Sequence, residues 1–409
     1  MDGTEPKKPD RRVTVGTVAV GEAGKRRVLD ALDRGRISGG KFVQEFEDAF
    51  AGYHGLHYGI AVSSGTDADA VAVAALLEKT ASRGDEVIVP SLTFISVANA
   101  CLHAGLMPRF ADVDPAHYNL DPAAVERAIT PRTRAIMAVH NFGRPAPMDE
   151  LLDIAARRGL VVIEDAAEAH GARYKGRLVG TMGAMATYSF YVAHILTTGE
   201  GGMVITDDAE WARLCRSIRA HGRACDCKVC VLNVDSRYCP SRYKYGENTD
   251  IRFYFERIGF SSKMNELEAA LGIEQVALMD AIVKARRERL DYYNNHLARY
   301  EHHLQLFRRA PYEEISPLCY PLVVKSGAPF ERGALTRFLE KSGVETRPAF
   351  GCIPTQQPAY RWMGYREGQF PGGEYVGSRG FYIGCHQNIT SEDLAYVIEV
   401  FDRFMEPYV

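Results

Sequence analysis

No apolar run in this 409-residue chain approaches the ~20 residues that a helix needs to cross a bilayer. The first twelve residues, MDGTEPKKPDRR, carry charges and prolines with no hydrophobic segment behind them, so no membrane or export signal is expected. An excess of positive charge is missing too: 49 Lys and Arg stand against 52 Asp and Glu, a net charge of -3 with a pI near 6.5. Nucleic acid and anionic membranes both require a basic surface, so neither is expected as a partner, and only a local basic patch is compatible with the total. Apolar residues are not scarce, at 46%. That content excludes disorder for most of the chain, and the length allows a large core and more than one lobe. The expectation is a cytoplasmic globular protein.

What is present, after a flexible tail over residues 1–12, is an alternation of helix-like and strand-like segments that predicts an α/β fold. Glu22 to Asp33 and Val43 to Tyr53 read as amphipathic helices. The short apolar strand His57 to Val62 runs into SSGTDADAVAVAALL, a turn followed by a helix. Further strands are expected at Glu86 to Pro90, Met107 to Asp112 and Arg134 to His140. LVVIE, Leu160 to Glu164, has the apolar content of a parallel strand buried on both faces. From Asn265 one long helical pattern leads out of a large domain over residues 13–280. A smaller C-terminal α/β domain over residues 281–409 follows, with strands at Leu318 to Val324 and Phe381 to Gly384 and helices near Gly333 to Ser342 and Ser391 to Met405.

Several residues in this framework have the chemistry of a binding site. The turn at Ser63 to Thr66 can hold a phosphate through the N–H groups of Gly65 and Thr66 and the Thr66 hydroxyl, because a helix N-terminus favours an anion. Ser189 can add a hydroxyl to the same phosphate. Asp165, just past the buried strand, suits either a helix N-cap or the partner of a protonated pyridine nitrogen. Phe94, in VPSLTFIS, suits either stacking on a flat ring or core packing.

Of nine cysteines, Cys101, Cys215, Cys319, Cys352 and Cys385 are isolated and read as ordinary thiols. Cys225, Cys227, Cys230 and Cys239 fall inside one segment, residues 221–260, which exceeds the ~12–15 residues that a structureless loop usually spans. CxCxxC with a fourth cysteine downstream suits a four-thiolate zinc site, an iron–sulfur cluster, or reduced thiols without metal. The spacing is not that of a zinc ribbon. Aromatic and basic residues in SRYKY and IRFYF suit covering a cluster, binding an electron donor, or simply packing the loop.

ISGGKFVQEFEDAFAGYHG, SSGTDA, VPSLTF, FADVD, IEDAAEAHGA, TTGEGGMV, FSSKMNELEAALGIEQ and QQPAYR together resemble, in order and over nearly the whole chain, the DegT-type sugar aminotransferases that use pyridoxal 5′-phosphate. The resemblance implies a fold-type I pyridoxal phosphate-dependent transferase with a large, mixed-sheet, three-layer domain and a smaller C-terminal α/β domain. It also implies a homodimer with its site at the subunit interface, and a nucleotide-sugar substrate. One motif departs from the pattern. Where the family reads approximately SFxxxKxxTTGEGG, with the lysine tethering the cofactor, this chain has SFYVAHILTTGEGG and places His194 at that position. An imidazole is not a primary amine, so lysine-dependent transamination is unavailable here. Ser261 replaces a usual asparagine that reaches the partner subunit's phosphate, Lys263 a usual arginine, and Glu168 a glutamine near the cofactor. GVETRPAFGCIPTQQPAY resembles the family's segment that approaches the sugar, which suits Arg347 to a nucleotide phosphate or equally to a surface salt bridge, and His386 to the mouth of the site.

Within the family, histidine at this position is similar to the sugar 3-dehydratases acting on GDP-4-keto-6-deoxymannose and CDP-4-keto-6-deoxyglucose, which bind pyridoxamine 5′-phosphate without a covalent link. That likeness implies His194 as the acid/base, with an ordinary pKa near ~6.5, and loss of the sugar's C3 hydroxyl as the reaction. The CDP-sugar enzyme carries a [2Fe–2S] cluster in the corresponding part of its chain. The clustered cysteines are accordingly expected to hold an iron–sulfur centre fed by a reductase or ferredoxin, with zinc as the alternative. The ligand pattern differs, because that enzyme has a cysteine beside the cofactor aspartate where this chain has Ala166 and Ala167. A redox-neutral dehydratase that regenerates its cofactor from glutamate, and a catalytically silent subunit, are the other readings.

Overall fold

Short apolar runs alternating with helices build one seven-stranded sheet. Its first strands are β1 Tyr58–Val62, β2 Glu86–Pro90, β3 Met107–Ala111, β4 Thr133–Val139 and β5 Val161–Asp165. A two-strand excursion, β6 Arg173–Tyr174 and β7 Arg177–Leu178, precedes β8 Met185–Ser189 and β9 Gly202–Thr206. The spatial order is β1-β9-β8-β5-β4-β2-β3. Strands β8, β5, β4, β2 and β3 run parallel, and β9 is antiparallel to both its neighbours. The computed structural model describes residues 11–225, 227–350 and 353–408.

The alternation of side chains along each strand makes the sheet the middle of three layers. On β4, Ala135, Met137 and Val139 join the cluster that includes Ala68, Val71 and Ala75 of the helix Gly65–Lys79. Ile136 and Ala138 face the other way, onto Val125, Leu151 and Ile154 of the helices Pro122–Ala128 and Met148–Arg158. Each fully buried Val, Ile or Leu stabilises this arrangement by about 1.5–3 kcal/mol. The three-layer arrangement around a mixed sheet that the resemblance implies is therefore present.

Later in the chain come β10 Leu304–Gln305, β11 Glu313–Glu314, β12 Cys319–Val324, β13 Thr346–Pro348 and β14 Gly380–Gly384. β11 extends the β6–β7 hairpin, and the other four form an antiparallel sheet of order β10-β12-β14-β13. The N-terminal segment is attached to this second sheet: Val13 bridges to Val344, and Arg11 pairs with Asp393 at 2.8 Å. Residues 1–10 of the expected tail lie outside the described residues.

Two expectations change in detail. The long helix from residue 265 is two helices, Glu266–Ala277 and Met279–Leu297, broken at Leu278. They have different partners, because the first packs on the helices Glu22–Asp33 and Lys41–Tyr53 while the second packs on the C-terminal helix Ser391–Met405. The buried strand ends one residue later than the LVVIE run, so Asp165 closes it instead of following it. Helix Lys41–Tyr53 begins without a capping side chain of its own. The buried Glu266 carboxylate serves instead, accepting the N–H groups of Gly40, Phe42 and Val43 at 2.8, 3.0 and 2.9 Å. Among the described residues, no helix is long and apolar enough to cross a membrane.

Candidate active site

The end of β1 turns through Ser63 and Ser64 into the helix Gly65–Lys79. Ser64 caps that helix, accepting the Asp67 N–H at 3.1 Å, so the N–H groups of Gly65 and Thr66 remain available for an anion. Glycine is required at both sides of this turn. A Cβ on Gly65 would lie 2.4 Å from the Ser189 Cβ, and one on Gly202 would lie 2.1 Å from the Ser64 carbonyl oxygen. The turn therefore rests directly on Ser189 at the end of β8 and on the GEGG segment, which gathers Gly65, Thr66 and Ser189 into one cradle.

His194 leaves β8 on a short turn and folds back, with its Nδ1 3.2 Å from the Ser189 carbonyl oxygen. The ring also meets the backbone of Ala167, beside Asp165. Burial lowers its pKa to about 4, against the opposing pull of those backbone contacts, and the nearby Arg286 adds to the lowering. At neutral pH the imidazole is uncharged and can accept a proton. Arg286 is itself almost fully buried, and its guanidinium bonds to the Pro317 and Leu318 carbonyls, the Gln387 amide oxygen and the His194 carbonyl. This brace fixes the turn that carries the histidine.

Asp165 is 5% exposed and accepts the Ala167 N–H at 3.0 Å. No helix begins here, so the N-cap alternative falls away. Burial pushes its carboxyl up to about 6, opposed by the Ala167 N–H and by His140. Its neighbour Glu164 points to the other face, where His140 Nε2 lies at 3.2 Å and the N–H groups of Gly180, Met182 and Gly183 bond it at 2.7, 2.7 and 2.6 Å. Burial there raises the pKa, and these bonds more than reverse the effect. Glu168 accepts the Phe142 N–H at 2.6 Å and is raised to about 7, chiefly by burial.

Phe94 is 61% exposed, which excludes the core-packing alternative. The loop that carries it is anchored by Asn141, whose amide donates to the Leu92 carbonyl at 2.9 Å. Ser261 bridges to Ala220 and faces outward, and Ser262 beside it accepts the Ser63 N–H at 3.0 Å. Arg347 pairs with Glu345. His386 is a correction: it is 4% exposed and packed on Thr14, whose carbonyl oxygen lies 3.1 Å from Nε2, so it lines no mouth.

These groups fit a phosphopyridine cofactor. The cradle matches a phosphate, and Asp165 is a buried acid without an ion-paired Lys or Arg among the described residues. Pyridoxal 5′-phosphate supplies the matching charge at its ring nitrogen.

The expected four-thiolate site finds no support among the described residues, where no group of three or more His, Cys, Asp or Glu side chains is arranged to hold a metal ion. Cys225 lies close to Cys227 and Cys230, but Cys227 is exposed, Cys230 heads the short helix Val231–Val234, and Cys239 opens a separate turn closed by the Arg242 N–H. Burial pushes the Cys225 thiol up to about 11, away from thiolate character, and Cys227 adds to the effect. The isolated Cys101, Cys215, Cys319 and Cys385 are buried, as ordinary thiols would be, and Cys352 lies outside the described residues.

The family model described as DegT/DnrJ/EryC1/StrS aminotransferase family matches residues 19–402. The dTDP-4-dehydro-2,6-dideoxy-D-glucose 3-dehydratase of Saccharopolyspora spinosa is 35% identical over 381 residues, covering 90% of this chain and 81% of the relative. A GDP-perosamine synthase of Caulobacter vibrioides is 34% identical over 400 residues, covering 96% and 98%. Among solved structures, the GDP-4-keto-6-deoxy-D-mannose-3-dehydratase of E. coli with bound hydrated pyridoxal phosphate superposes with a TM-score of 0.84 at 27% identity, covering 95% of this chain and 99% of that one.

Proposed function

Given that the chain belongs to the DegT/DnrJ/EryC1/StrS aminotransferase family, we propose that it is a pyridoxamine 5′-phosphate-dependent dehydratase that removes the C3 hydroxyl of a nucleotide-linked 4-keto sugar. Relatives are named both as 3-dehydratases and as perosamine synthases, and the observation that separates the two chemistries is the uncharged imidazole of His194 at the tethering position.

When bound, the cofactor supplies an amine to meet the C4 ketone and a ring that accepts electrons. Gly65, Thr66 and Ser189 would hold its phosphate, Phe94 would stack on its ring, and Asp165 would hold the ring nitrogen. Glu168, bonded to the Phe142 N–H, would border the ring. His194 would move the proton at C4′ and supply one to the departing C3 oxygen, tasks open to an imidazole that is uncharged at neutral pH. Ser261, facing outward, is assigned to the second subunit's phosphate in a homodimer. An iron–sulfur centre with a reductase would make the overall reaction reductive. The thiols as placed do not form a ligand set, so no step is assigned to a cluster, and iron and sulfide analysis of anaerobically purified protein decides that question.

The test is incubation of the pyridoxamine phosphate form with a panel of nucleotide-linked 4-keto sugars, followed by mass spectrometry. A 3-deoxy product lighter than its substrate by one oxygen atom, formed with conversion of pyridoxamine phosphate to pyridoxal phosphate and release of ammonia and absent in His194→Asn, is expected from at least one substrate. Amino-group transfer to the sugar by the native protein, with the C3 hydroxyl retained, would overturn the proposal.

A further inference from the structure

Asp69 has no part in the reading above. It lies in the helix Gly65–Lys79, at the head of the apolar run AVAVAALL, and is only 3% exposed. Thr187 Oγ1 donates to it at 2.7 Å, and the Ser96 hydroxyl bonds it as well. Thr187 is the residue directly across from Asp165 in the β5–β8 pairing. Helix and strand therefore bring a second carboxyl group onto the threonine that neighbours Asp165 in the sheet. The donors that meet the pair among the described residues are hydroxyls and the Ala167 N–H, with no Lys or Arg ion pair. The other titratable groups near it are Glu168 beside Asp165, the Cys101 thiol beside Asp69, and His140, which acts on Asp165 through space from the Glu164 side of the strand.

We propose that Asp69 is a second acid for the cofactor's ring nitrogen, a positioning residue that acts through Asp165 so that two carboxyls together match one pyridinium charge. Two buried like charges resist ionising together, and a cation placed against them relieves the conflict. Burial first, and then Asp165 itself, holds the Asp69 carboxyl well above its usual range, the direction expected while that cation is absent. The proton that the pair retains passes to the ring nitrogen if the ring arrives neutral, or to solvent if the ring arrives protonated. The inference rests on the ring nitrogen lying at Asp165, and it is independent of whether the reaction is dehydration.

The test uses native protein, Asp69→Asn and Asp165→Asn, each loaded with pyridoxamine phosphate carrying 15N in the ring. The ring nitrogen's chemical shift is followed against pH, and cofactor affinity is measured by equilibrium dialysis. In Asp69→Asn the ring should lose its proton at a pH lower by about one unit, and the cofactor should bind about tenfold more weakly. Asparagine keeps the shape and can still accept from Thr187, so a merely structural role would leave the shift where it is. An unchanged titration in Asp69→Asn alongside a lost one in Asp165→Asn overturns the inference and leaves the site assignment intact. No change in either variant overturns both. Should Asp69→Asn fail to fold, Thr187→Val, which frees Asp69 from its hydroxyl donor, is expected to shift the titration in the same direction by a smaller amount, and no shift there overturns the inference.

Discussion

Replacing His194 with asparagine should make the protein less sensitive to acid. Burial holds this imidazole at about 4 against an ordinary 6.5, so the folded protein refuses a proton that the unfolded chain takes up readily. A group depressed in this way contributes its stability fully above the unfolded pKa, and that stability is lost as pH falls from 6.5 toward about 4. Between about pH 7.5 and about pH 5 the integrated loss is roughly 2 kcal/mol, reduced to about 1–2 kcal/mol because water reaches part of the ring. Asparagine has nothing to titrate. Urea unfolding of both proteins at the two pH values should therefore show the native chain losing about 1–2 kcal/mol more than the variant on acidification. His54, His170 and His386 are depressed in the same direction, mainly by burial, so both proteins weaken in acid and only the difference between them reports His194. Equal losses in the two would refute the assignment of a half-buried, uncharged imidazole at this position.

Glu164→Ala should cost about 3–5 kcal/mol in chemical denaturation, because it strands three backbone N–H groups and His140 in a dry interior. Gly65→Ala places a methyl 2.4 Å from the Ser189 Cβ and should weaken pyridoxamine phosphate binding by about tenfold or more, measured by equilibrium dialysis. His194→Lys should restore a covalent tether, visible as a cofactor absorbance band that survives gel filtration and disappears on borohydride reduction. If the pocket is otherwise intact, the same variant gains aminotransferase activity with an amino-acid donor.

Five of the seven strands of the large sheet were legible to within a residue or so because they leave short apolar runs, as β2 and β5 do, whereas β8 and β9 were not read as strands because MATYS and GMVIT carry Thr, Ser or Gly at their ends. The break at Leu278 was not, since NELEAALGIEQVALMDAIV keeps helical spacing across it and only the two different packing partners reveal it. Gly65 and Asp165 could be singled out from turn chemistry and a strand end, whereas His194 came only from the resemblance of its motif. Asp69 was missed. It sits two residues after Asp67, a separation that puts the two acids on different sides of the helix, one bonded to the serines of the turn and the other turned inward. An acid at the head of an alanine and valine run was the available signal. The cysteines show the opposite limit, because spacing counts residues and says nothing of which turn each thiol belongs to.

The carboxylate of Glu266, which closes the first turn of the helix Lys41–Tyr53, is separated from it by more than two hundred positions of chain. A nascent polypeptide leaving the ribosome must therefore carry that early helix with its N-terminal amides bare until residue 266 has emerged. Translation speed across the intervening stretch then sets how long the Gly40, Phe42 and Val43 amides wait for their acceptor.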